Sequence, residues 1–193
     1  MKLSDEKYEE IKEEVIFLFQ TYDVRCIPIS GFELAVKIGI ILIPYSSLSP
    51  TKLIRAYGLS FDGFYLEPGD GREYIFYNDS QGYERTNMTI LHELGHCILG
   101  HPDDMDAEEA EAEANFFAKY AVAPPPLVHK ICPSCAEEIA EIFNISRKAS
   151  QYAFSYYQKW LRHYQSCGEY TFYESNLLRL FDGSSQEVFG MKQ

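Results

Sequence analysis

The chain has 193 residues, enough for one compact domain with a sizeable core, and a composition 46% hydrophobic and 15% aromatic excludes an intrinsically disordered chain. A net charge of -12 opposes phosphate backbones and disfavours nucleic acid as the main partner. No uninterrupted apolar run approaches the roughly 20 residues a bilayer span needs, so no membrane partner is expected.

The start, Met1 to Glu6, is polar and acidic and does not read as a signal peptide. Five cysteines, an odd number without framework spacing, suit a reducing compartment, and a cytoplasmic location is expected. Cys132 and Cys135 form a CxxC pair, but no second such pair supplies the rest of a structural zinc site, so they are read as incidental loop thiols.

Residues 5 to about 21 predict an amphipathic helix, with Tyr8, Ile11, Val15, Leu18 and Tyr22 on one face and solvated acids opposite. Ser30-Gly31-Phe32-Glu33 is a capping box and predicts a short helix to about Lys37, ended by Gly39. Ile40 to Pro44 has strand length and character. Leu48 to Ala56 reads as a short helix opened by Pro50. Phe61 to Leu66 and Glu73 to Asn78 are strand-like segments around the turn sequence Pro68-Gly69-Asp70-Gly71, and together they predict a hairpin.

The next helix carries His92-Glu93-Leu94-Gly95-His96. Two histidines four positions apart project from one helical face and can reach one tetrahedral metal ion, while Glu93 between them can take a proton from an attacking water. Chance occurrence of such a pattern on a solvated helix is the competing explanation. Ile90, Leu91, Leu94 and Ile98 recur at helical spacing around it, however, which predicts a buried helix whose polar edge needs a partner such as a metal.

A catalytic zinc usually has three protein ligands, so one is missing from the motif. His101 is one candidate. A third histidine from the same segment would fall six residues after His96, with glycine at three; those positions are Pro102 and Leu99. His101 is therefore assigned to the helix end, interacting with its carbonyls. Glu108, Glu109, Glu111 and Glu113 on the following helix, Ala107 to about Val122, also compete. Glu108 and Glu109 fit a solvated charge run. Glu111 shares a face with the small residues Ala114, Asn115 and Ala118, which favours close helix approach, and Glu113 is next best.

Pro124-Pro125-Pro126 is expected to stop that helix. Ala136 to Phe143 and Arg147 to about His163, joined by Asn144-Ile145-Ser146, resemble a helix-turn-helix, with Ser146 as N-cap. The second of these helices carries Arg147, Lys148, Lys159 and Arg162 and no acid. Its aromatics, Tyr152, Phe154, Tyr156, Tyr157 and Trp160, favour packing over DNA reading. Tyr173 to Phe181 reads as one more short helix within the tail.

The stretch Ile90 to His101, followed by Glu111-Ala112-Glu113-Ala114-Asn115-Phe116-Phe117-Ala118, resembles the ImmA/IrrE metallopeptidases, and more loosely the likeness covers residues 10 to 160. The resemblance implies that His92, His96 and Glu111 bind Zn2+, with Mn2+ or Fe2+ able to occupy the same set, and that Glu93 is the catalytic base. It departs from the family at Tyr120-Ala121-Val122-Ala123-Pro124, where a leucine-rich end is usual.

The expected fold is α+β. It comprises a zincin-like metallopeptidase core over 1–126 with a small antiparallel or mixed sheet, a helix-turn-helix-like region over 127–165, and a tail over 166–193. The expected function is a zinc endopeptidase, and the resemblance to the ImmA/IrrE family implies a helix-turn-helix repressor as substrate and a regulatory role of the phage or mobile-element type. The competing readings are a non-catalytic zinc-containing regulator that holds a repressor or DNA, and a hydrolase of small amides.

Overall fold

The computed structural model describes residues 2–69, 71–101 and 105–182. They fall into two compact units, one drawn from the described residues up to 11 and between 30 and 118, the other from 12–29 and from 119–182. The architecture is α+β, mostly helical, with one three-stranded mixed sheet.

In the first unit, α1 (Asp5–Thr21) contributes its opening turns and the fully buried Ile11. Helix α2 (Gly31–Ile38) starts where the Ser30 hydroxyl accepts the Glu33 N–H at 3.2 Å, as the capping box predicts. It ends at Gly39, whose φ of 102° suits a residue without a Cβ. Strand β1 (Ile41–Pro44) follows, then a 3₁₀ turn over Tyr45–Ser47. Helix α3 (Pro50–Leu59) runs past the predicted end at Ala56, because nothing before Ser60 breaks it and Gly58 is tolerated.

Strands β2 (Gly63–Leu66) and β3 (Tyr74–Tyr77) form the predicted antiparallel hairpin, with Gly63 opposite Tyr77 and Leu66 opposite Tyr74. Asp70 of its turn lies outside the described residues. Strand β1 joins β3 in parallel, which leaves β2 at the sheet edge in the order β1-β3-β2.

Helix α4 (Tyr83–Leu99) packs on β2, β3 and α2, and buries Ile90, Leu91 and Leu94 completely. Gly31 explains how closely α2 approaches it. A Cβ there would lie 3.1 Å from the Asn87 carbonyl oxygen and from Leu91, and the Gly31 N–H donates to Asn87 Oδ1 at 2.7 Å. The run His101-Pro102-Asp103-Asp104 predicts the end of α4, and Gly100, at φ 63°, terminates it one residue earlier. Pro102, Asp103 and Asp104 of that segment lie outside the described residues. Helix α5 (Ala107–Val122) matches its predicted span, and its residues up to Ala118 belong to this unit.

The second unit is helical. The prolines after α5 do not open a loop. Pro125 and Pro126 begin a further helix, α6 (Pro125–Ile131), because a missing N–H costs nothing in a first helical turn. Helices α7 (Ala136–Phe143) and α8 (Arg147–Cys167) pack together, with Ile139, Phe143, Ala153 and Tyr157 buried, Asn144 left-handed between them and Ser146 capping the Ala149 N–H at 3.3 Å. Helix α8 extends four residues past its expected end at His163, to Cys167, with Gly168 as its cap. Its last turns are held by a column of stacked rings, Trp160, Tyr164 and Tyr170. Helix α9 (Phe172–Asp182) packs on α6 and presents Glu174 to the Trp160 indole N–H at 2.6 Å. Residues 183–193 of the expected tail lie outside the described residues.

Among the described residues, no helix is long and apolar enough to cross a membrane. All five cysteines are free thiols, Cys132 and Cys135 included.

Candidate metal centre

The spacing of His92 and His96 on one regular helix brings their Nε2 atoms to 3.1 Å from each other. Glu111 on α5 closes the triangle, with its two carboxylate oxygens 3.4 Å from His92 Nε2 and 3.5 Å from His96 Nε2. A metal bound at 2.0–2.1 Å in tetrahedral geometry holds its donors about 3.3 Å apart, so these three groups have the spacing of a ligand set. Among the described residues they are the one group of His, Cys, Asp or Glu side chains converging in this way.

The two imidazoles are about one-fifth exposed, while Glu111 is 59% exposed and forms the solvent side of the cluster. Burial, together with the neighbouring His92 and His101 rings, lowers the His96 pKa to about 4. Its ring is therefore neutral near pH 7, the form in which imidazole binds a metal.

The approach of α5 to α4 depends on Gly95 of the motif. A Cβ on Gly95 would lie 3.1 Å from the Ala114 Cα and 3.2 Å from the Phe117 side chain, so any side chain there would require α5 to give by a few tenths of an ångström. The predicted stripe of small residues is half of this contact. Ala114 is buried within it, whereas Asn115 is exposed and turns its amide back to donate to the Glu111 carbonyl at 2.6 Å.

Glu93 points toward the sheet edge. Its carboxylate accepts the backbone N–H of Tyr65 on β2 at 2.9 Å, a partner the sequence did not reveal. Burial raises its pKa to about 7 against the effect of that N–H, and the Glu111 charge adds to the rise. A carboxyl balanced near neutrality can both accept and return a proton.

Tyr65 is the tyrosine seen beside the base, but its hydroxyl donates to Glu73 at 2.6 Å, and the same carboxylate takes the Cys97 thiol at 3.1 Å. Burial and the Glu73 carboxylate both raise the pKa of that hydroxyl, so it remains a phenol.

The remaining candidates separate cleanly. Glu113 lies away from the triangle, with Oε2 3.3 Å from His101 Nε2 and Oε1 3.8 Å from Lys7 Nζ. The expectation for His101 needs correction. Its backbone N–H does bond the His96 carbonyl, at 3.3 Å, but its side chain does not cap the helix. The ring folds back to place Nδ1 2.8 Å from His96 Nδ1. Gly100 makes this possible, because its left-handed conformation turns the chain back over the last helical turn.

The sequence matches the family model of the IrrE N-terminal-like domain, peptidase family M78, over residues 52–155, more than half of the chain. The chain belongs to this family. No curated protein matches it. The IrrE N-terminal-like match spans β2, β3, α4 and α5, so the triangle and Glu93 lie within it, and it continues through α7 into α8. The protein thus contains a metallopeptidase-type domain, for which a metal ion is implied and a protein is the expected class of substrate.

Proposed function

We propose that this chain is a zinc-dependent endopeptidase in which His92, His96 and Glu111 hold the ion and Glu93 is the catalytic base. The convergence of two imidazole Nε2 atoms and one carboxylate within 3.1–3.5 Å carries the reading. Mn2+ or Fe2+ could occupy the same donors, but a set of two nitrogens and one oxygen suits zinc.

Zinc, when bound, acts as a Lewis acid that polarises a peptide carbonyl and makes water more acidic. The protein supplies the rest. Glu93 accepts a proton from the attacking water and delivers it to the departing amine, so that one carboxyl serves both halves of the hydrolysis. The Tyr65 N–H orients that carboxylate, and burial keeps it from being a permanently charged anion. The exposed side at Glu111 is the open approach for a polypeptide.

The substrate we propose is a cytoplasmic helix-turn-helix repressor, cut at a limited number of sites, with the enzyme itself cytoplasmic. A net charge of -12 favours encounter with a basic DNA-binding protein. In this reading the sheet, α4 and α5 make a zincin-like core, and α7 with α8 is a helix-turn-helix-like pair used for packing.

The test is cleavage of a repressor encoded beside this chain by wild type and Glu93→Gln, with zinc content measured in both. Wild-type cleavage that is lost in a zinc-containing glutamine variant supports the proposal. Binding of the repressor without cleavage by the zinc-loaded wild type would favour a non-catalytic regulator instead.

A further inference from the structure

We propose that His101 and Glu113 form an outer bracket that fixes the His96 ring with Nε2 directed at the metal position. The inference rests on the metal reading above and assigns a positioning role to two residues outside the ligand set.

The bonding directions follow from the distances. His96 Nε2 faces His92 Nε2 at 3.1 Å and Glu111 at 3.5 Å, so it is the nitrogen turned toward the ion and must keep its lone pair free. A neutral imidazole has one proton, which then sits on Nδ1. Nδ1 is 2.8 Å from His101 Nδ1, so His96 donates and His101 accepts. The His101 proton is thereby placed on its own Nε2, which donates to Glu113 Oε2 at 3.3 Å. The Glu113 carboxyl oxygen accepts at that position, and Lys7 Nζ lies 3.8 Å from its other oxygen, Oε1. Every proton along the line has one consistent position.

Burial makes the arrangement firm. The side chains of His101 and Glu113 are 7% and 4% exposed, so water competes poorly for these groups. The reach is also varied in sequence: His101 follows the end of α4, Glu113 is on α5, and Lys7 is on α1. The bracket therefore ties the ligand ring to elements other than its own helix. Metal-binding histidines commonly donate their second ring N–H to such a partner, which sets ring orientation and raises ligand basicity. In this chain the partner is a second histidine with a carboxylate behind it.

Two readouts test the bracket. The first uses the wild type alone: histidine-selective ¹⁵N NMR of the zinc-loaded protein should show His96 protonated on Nδ1 and not on Nε2. The second is zinc affinity by competition with a chromogenic chelator. His101→Phe, which fills the space without a nitrogen, should bind zinc about 10–100-fold more weakly. His101→Asn, which returns an acceptor near the Nδ1 position, should recover part of that loss.

A phenylalanine variant that binds zinc as tightly as wild type would overturn the bracket and leave the metal reading standing, whereas a proton on His96 Nε2 in the zinc-loaded protein would remove that nitrogen from the ligand set and the bracket with it. A wild type that takes up no zinc removes the metal reading, and with it this role.

Discussion

Gly95 and Ala114 meet so closely that a single added carbon on Gly95 would stand 3.1 Å from the Ala114 Cα. The contact lies between the two histidines of α4 and three residues beyond Glu111 on α5, so it sets the distance at which the carboxylate meets the imidazoles. Gly95→Val should force the helices apart. We expect a loss of about 1–3 kcal/mol in chemical denaturation, typical of overpacking, together with weaker zinc binding. A valine variant of unchanged stability and unchanged zinc affinity would show that the contact does not set the site.

Much of this region is legible in sequence because local rules govern it. The His92/His96 spacing, the Ser30 cap, the turn residues of the hairpin and the prolines after α5 each depend on a few neighbouring residues. Glu111 is separable from Glu108 and Glu109 only through the small residues after it.

The features hidden from sequence depend on non-local placement. The Tyr65 N–H reaches Glu93 because β2 is the edge strand, which the segment itself does not reveal. The His101 side chain turns inward because Gly100 adopts a left-handed conformation and Glu113 waits on the next helix. Pro125 and Pro126 can serve as a helix start or a helix stop, depending on the residues after them. Here Leu127 and Val128 are buried as a helix continues.

Glu93→Gln should stabilise the metal-free protein at high pH. The folded pKa, about 7, is above the ordinary value of 4.5, so the folded state holds its proton more tightly than the unfolded chain. Stability contributed by the protonated carboxyl is complete below pH 4.5 and is lost as pH rises through 7. Glutamine stays neutral throughout and keeps an oxygen for the Tyr65 N–H. Denaturation of the metal-free proteins should therefore show a gain on the order of 3 kcal/mol for the variant at pH 8, shrinking toward zero near pH 4.5. Parallel pH profiles for the two proteins would mean that burial does not disfavour the Glu93 charge.

Asn87→Ala tests the junction that seats α4 against α2. The amide oxygen of Asn87 is buried and accepts the Gly31 N–H at 2.7 Å. Removing it leaves a buried donor without its partner at the start of α2, which costs about 1–3 kcal/mol. Thermal or denaturant unfolding should show that loss, and an alanine variant as stable as wild type would place the burden of this contact elsewhere.

In catalysis, Glu93→Gln and His92→Ala should fail differently. The glutamine variant keeps the ligand set and should retain zinc while cleavage falls by about 10²–10⁴-fold, the usual range for losing a general acid–base group. The alanine variant should lose zinc and cleavage together. Metal analysis beside a cleavage assay distinguishes them, and full activity of the glutamine variant would remove Glu93 from the mechanism.

The most direct measurement of the central claim is an equilibrium zinc titration, under chelator competition, of wild type beside Glu111→Ala. Wild type should bind one zinc per chain, and loss of the carboxylate should weaken binding by more than about 100-fold, beyond the range set by outer partners. A wild type that binds no zinc, or an alanine variant that binds it equally well, would contradict a site built from His92, His96 and Glu111.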